Sequence, residues 1–272
     1  MRVVAAFTLA LAAALAVAPR ALSAEAAGGA GGDTDRLTGT ASCEHLRVFS
    51  LDFRNVKAKL AVEGPKWQLS EITGDLLGGK VFGRTKIDNT ARPADIAIFV
   101  SVKGADIAPL ARKHGLTDLK GRMEGGADLR WVGAEKTLTG ALVLRIADGD
   151  LGAIPFGVKI FRFLGSPGIF GKRLTSADVA VRIVPEGIVV ESIKIASPND
   201  DVVMVVEEGG TIGFDGKLDL RIQPVIRSKV LAKIPIAGTI TQAVLGFLQR
   251  RSMRVCVRGT ISEPSMSWSP AN

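Results

Sequence analysis

Three short stretches carry residue types that can do chemistry. The first is "GDLLGGKV" at residues 74–81, which reads as Gly, four residues, Gly and Lys. A loop of that pattern binds nucleotides by wrapping phosphates in backbone N–H groups, with Lys on the outer phosphates and a Ser or Thr hydroxyl on Mg²⁺. Val81 stands where the hydroxyl is needed, and Val cannot hold a metal. The flanks also disagree, because such a loop follows a buried strand and opens a helix. Upstream lies the mixed run from Lys66 to Thr73, and downstream the two-residue alternation from Val81 to Asp88. The glycines Gly78-Gly79 instead predict a tight turn between two antiparallel strands.

The second stretch is Cys43-Glu44-His45, which sets a thiol near an imidazole. The chain has only two histidines, His45 and His114, and no partner His or Asn arrangement is identifiable. In a strand, residues two apart merely share a face, so His45 reads as a surface histidine. The third stretch is Asn199-Asp200-Asp201, an oxygen cluster of the kind a hard cation prefers. The remaining ligands are missing, and Asp148, Asp150, Asp200, Asp201 and Asp215 all flank turns, where aspartate bonds its own backbone. The expectation is therefore a protein without catalytic residues, metal site or cofactor.

The N-terminus reads as an export signal. Arg2 precedes an uncharged, mostly apolar run from Val3 to Ala18, closed by Pro19-Arg20 and then small residues suited to cleavage near Ala24 or Ala26. The run is short of the about 20 residues of a membrane span, so residues 1–24 are expected to be a signal peptide, with a retained N-terminal anchor as the alternative. Residues 25–36 read as a flexible leader, and 37–272 as one β-rich domain. The net charge is +8, spread mostly beside acids, which suits a solvated face or anionic headgroups. Tyr is absent and aromatics are few, so no stacking platform for nucleic acid is visible. Cys43 and Cys256 are the only cysteines, and in an oxidising compartment they could form one bridge.

Period-two alternation dominates from residue 37 onward. Ile96, Ile98, Val100 and Val102 form one apolar set. Leu142, Leu144 and Ile146 form another, and Leu218, Leu220 and Ile222 a third. Turn signals such as Pro185-Glu186-Gly187, Gly209-Gly210 and Asp215-Gly216 separate the strands. The fold class is mainly β: a long, curved antiparallel sheet, apolar on one side, with two or three short helices. One helix is expected within Asp106–His114. A second carries Phe156, Ile160, Phe161 and Leu164, and a third, from about Thr241, carries Val244, Phe247 and Leu248. So few helices would leave an apolar groove lined by the three sets above.

The phrases "ITGDLLGGKVFGRTKID", "VKGADIAPLARKHGLTDLKGRMEGGADLRW" and "LTGALVLRIADGDLGAIP" resemble the C-terminal region of AsmA-like proteins. So do "VEEGGTIGFDGKLDLRIQP", "IPIAGTITQAVLGFL" and "VRGTISEPSMSW". Asp106, Ile107, Pro109 and Leu110 fit one family phrase. Asp148-Gly149, Leu151 and Ile154-Pro155 fit the next, and Asp215-Gly216 with Leu218-Asp219-Leu220 the last. The resemblance implies a curved sheet with an apolar inner face, projecting into the periplasm and serving outer-membrane biogenesis. It implies a phospholipid or fatty-acyl ligand in the groove and a membrane surface or envelope protein as partner. The chain lacks the long N-terminal portion of full-size members, which puts a bridge between two membranes in doubt.

Overall fold

The structure, a computed structural model, describes residues 23–26, 36–48, 51–90, 94–113, 119–133, 138–150, 174–198, 201–226, 253–260 and 263–270. These residues form fifteen antiparallel strands and one short helix. The mainly β, antiparallel expectation holds. The two further helices, with Phe156, Ile160, Phe161, Leu164, Val244, Phe247 and Leu248, lie outside the described residues, as does most of the export segment. No helix among the described residues is long and apolar enough to cross a membrane.

Contacts divide the chain into two compact units. One comprises Met1–Leu110, Met123–Val143 and Ile183–Pro185; the other comprises Ala111–Arg122, Leu144–Arg182 and Glu186–Asn272.

In the first unit, strands follow one another in chain order: β1 (Ser23–Ala26), β2 (Arg36–Val48), β3 (Leu51–Glu63), β4 (Lys66–Leu76), β5 (Gly79–Asp88), β6 (Asp95–Asp106) and β7 (Arg122–Val132). β8 (Leu138–Ala147) comes next and carries the chain into the second unit. Strand β1 pairs Ser23 with Ser42 and Ala26 with Gly39, so part of the expected leader is a paired strand. Alternation explains the strands. On β6, Ile98, Val100 and Val102 are buried while Ala97, Phe99 and Lys103 are exposed.

Two phase slips keep that alternation in register. Asn55 and Glu71 have φ of 51° and 50°, and the β3–β4 and β4–β5 pairings shift beside them. An extra residue at such a bulge returns the next apolar side chain to the core face. Phe53 and Val56 are therefore both buried, as are Leu69 and Ile72. After β6, Asp106 Oδ1 accepts the Ala108 N–H at 2.9 Å and caps α1 (Ala108–Lys113). Ile107 and Leu110, at 3% and 4% exposure, pin this turn to the apolar side.

The second unit continues with β9 (Ser176–Val184) and β10 (Gly187–Ala196). β11 (Val202–Val206) and β12 (Thr211–Gly213) lie end to end, each paired with β10 on one side and β13 (Lys217–Ile226) on the other. The intervening turn stays bonded to both neighbours, since Gly209 N–H donates to Val190 O and Glu207 N–H to Arg221 O. β14 (Met253–Thr260) and β15 (Pro264–Pro270) complete the order. Asp215 Oδ1 accepts the Lys217 N–H at 3.0 Å across a turn closed by Gly216, φ 86°.

Candidate functional site

The phosphate-loop pattern at residues 74–81 is a β-hairpin. Leu76 pairs with Gly79, so the two-residue turn is Leu77-Gly78, one residue earlier than the glycine pair suggests. Both have positive φ, 50° and 77°, the geometry of a type I′ turn. Gly79 serves a different need: a Cβ there would lie 2.5 Å from Ala105 N and 2.6 Å from Lys103 O on β6. Lys80 is not free for a phosphate. Its Nζ lies 2.6 Å from Asp75 Oδ1, and Asn55 Nδ2 donates to Asp75 Oδ2 at 2.8 Å. Those two hydrogen bonds, Asn55 first, hold the Asp75 carboxyl below its usual range.

The thiol and imidazole of residues 43 and 45 are parted by the slip at Asn55. Cys43 lies opposite buried Val56, and His45 opposite exposed Arg54. Opposed residues on antiparallel strands share a face, so Cys43 and His45 are on different faces, contrary to the simple two-residue rule. The Cys43 thiol donates to the His45 carbonyl at 3.0 Å instead. Cys43, in the first unit, and Cys256, in the second, are both free thiols. Among the described residues no His, Cys, Asp or Glu cluster could hold a metal. His114, Asn199 and Asp200 lie outside them.

What the structure does assemble is an apolar face in each unit. In the first, Ile98, Val100, Val102 and Leu142 are buried at 1%, 0%, 5% and 3% exposure, and Ile96 is half-buried. In the second, Leu218, Leu220, Ile222 and Leu144 are buried and Ile146 is half-buried. The sets named from alternation thus lie on the apolar side, and that side is largely covered. Sequence reading passed over one residue on this face. Thr85 is 1% exposed, between Leu69 and Ile98 in register, and its hydroxyl has no hydrogen-bond partner. Its parity with Val81 on β5 was the available signal.

The opposite face is charged. Arg130 grips Asp95 through Nη2 at 2.6 Å and Nε at 3.0 Å, holding the Asp95 carboxyl below its usual range. Glu71, the second bulge residue, receives Lys59 Nζ at 2.7 Å.

The described residues thus form an antiparallel β-protein whose strands carry one apolar and one ionic face. The AsmA family model matches residues 34–160, and the chain carries an AsmA-like domain there. No curated protein and no solved structure matches the chain. The phrase at Asp215–Leu220 lies beyond the matched stretch.

Proposed function

We propose that this chain is a non-enzymatic envelope protein that binds phospholipid acyl chains on the apolar face of its AsmA-like sheet and assists outer-membrane biogenesis. The observation that carries this reading is the apolar character of that face across β3 to β6, where Thr85 is the one buried polar residue among those described. Burying each CH₂ of a tail contributes about 0.8 kcal/mol, so such a face needs no special chemistry to hold one. Because the face is already covered, a tail enters by exchanging with the groups that bury it, apolar contact for apolar contact. The AsmA match over residues 34–160 and the exported character of the leader support the compartment.

A second reading has its own observation. Ile98, Val100 and Leu220 are sealed as tightly as any protein core, which favours a structural or protein-interaction domain without lipid cargo. Mass spectrometry of an organic extract of the purified chain separates the two. Copurifying phospholipid is the expected result. Repeated absence of lipid, with no uptake of a fluorescent fatty acid, overturns the carrier reading and leaves the scaffold.

A further inference from the structure

The ionic face of the first unit is broken at two places by aromatic rings. Phe82 on β5 and Phe99 on β6 stand on it at 47% and 40% exposure. Alternation puts neither ring in the core. Phe82 lies opposite Ser101 and Arg84 opposite Phe99, so the two rings are diagonal neighbours across the strand pair. The Arg84 guanidinium sits over the Phe99 ring, 5.2 Å from its centre. Beside them the residues are small: Ser101 on β6, and Gly126 on β7, where a Cβ would lie 3.2 Å from Val100 O.

Cations surround the rings. Lys57 and Phe82 flank Thr73 in register, Lys103 lies opposite Lys80, and Lys86 is on β5 beside Ala97. Three nearby acids are engaged, Glu71 by Lys59, Asp75 by Lys80 and Asp95 by Arg130, while Glu124 and Asp128 stand exposed on neighbouring β7. Lys57, Lys86 and Lys103 form no ion pair among the described residues. The patch therefore combines exposed aromatic surface with an excess of cations (Lys57, Arg84, Lys86 and Lys103 against Glu124 and Asp128), in a chain whose net charge is +8.

We propose that the Phe82–Phe99 patch docks the AsmA-like unit on an anionic phospholipid membrane. The rings enter the boundary between headgroups and acyl chains, where aromatic side chains are favoured. Lys57, Arg84, Lys86 and Lys103 meet the headgroup phosphates, their aliphatic stems lying along the rings. Charge complementarity selects this occupant: the free cations outnumber the free acids. The proposal concerns the face opposite the apolar one and stands whether or not a tail binds there.

The test is co-flotation of the full chain with phosphatidylcholine vesicles, with and without phosphatidylglycerol. The N-terminal run, flanked by Arg2 and Arg20, is common to the chain and its variants, so the loss seen in the variants reports the patch. Binding should be stronger to the anionic vesicles and weaken as salt is added. Lys86→Glu/Lys103→Glu should lower the anionic-specific part at least about tenfold, since each basic residue near such a surface is worth about fivefold. Phe82→Ser/Phe99→Ser should lower it with the melting temperature unchanged. The charge variant keeps the test decisive if the aromatic variant misfolds. Binding that ignores phosphatidylglycerol, or that both variants retain in full, overturns the proposal and leaves an acidic protein surface as the occupant.

Discussion

Arg254 Nη1 lies 2.9 Å from Glu207 Oε2, and their side chains are only 16% and 28% exposed. Glu207 follows β11 at the break before β12, and Arg254 opens β14, so the pair ties the interrupted row to a strand beyond β13. Arg254 Nε also donates to the Pro270 carbonyl at 2.9 Å, which fastens β15. Among the ion pairs of the described residues in the second unit, the Arg254–Glu207 pair is the least exposed. Glu207→Gln should cost about 1–2 kcal/mol in chemical denaturation, because a hydrogen-bonded charge loses its counterion away from full solvent. Lys59→Gln, which breaks an exposed pair with Glu71, should cost less than about 1 kcal/mol.

Four carboxyls should make stability decline in acid. Asp75, Asp88, Asp95 and Asp215 all have carboxyl pKa values below the ordinary range, through side-chain hydrogen bonds from Asn55, Thr90, Arg130 and Lys217 respectively. A carboxyl depressed in the folded state contributes stability that is fully present above its unfolded value of about 3.9, and that is lost as pH falls through the folded value. The melting temperature should therefore be level between pH 5 and 7 as far as these carboxyls govern it, and fall below about pH 4. Asp95→Asn should make the acid limb shallower; an unchanged slope would show that the Arg130 grip contributes nothing.

Two substitutions two residues apart should have opposite signs. Leu77 pays for a left-handed backbone at φ 50°, so Leu77→Gly should raise stability by about 1 kcal/mol. Gly79→Ala should lower it by about 2 kcal/mol, since the methyl meets the β6 backbone at Ala105 and Lys103. Equilibrium urea unfolding reads both.

Thr85→Val should stabilise the chain by about 1 kcal/mol in the same assay. It removes a buried hydroxyl that has no partner, with almost no change of shape. A loss of stability would mean that the hydroxyl is satisfied by bound water or ligand.

Most of the strands were legible because alternation is a local property. Ile98, Val100 and Val102 could be assigned to one side without knowing what lay beside them. The turn at Leu77-Gly78 was misplaced by one residue because a leucine in the left-handed region contradicts its own preference, and only the register with β5 imposes it. The slips at Asn55 and Glu71 were invisible for a related reason. Neither residue type announces a bulge, and the need for one arises from neighbouring strands. The separation of Cys43 from His45 follows from the first slip and was hidden with it. Thr85, Phe82 and Phe99 were readable by parity alone; each is a residue of the wrong polarity for its face, which is where a site departs from the pattern that builds the fold.

Strand β15 begins and ends in proline, Pro264 and Pro270, six positions apart and therefore in the same row of backbone groups. Proline has no N–H, so that row keeps donors only at Met266 and Trp268, and prolines of this kind belong on the rim that faces away from the neighbouring strand. A second chain approaching that rim finds half the docking teeth missing. The protein is thus protected from zippering into fibrils at the one margin where its ladder ends in strand β15.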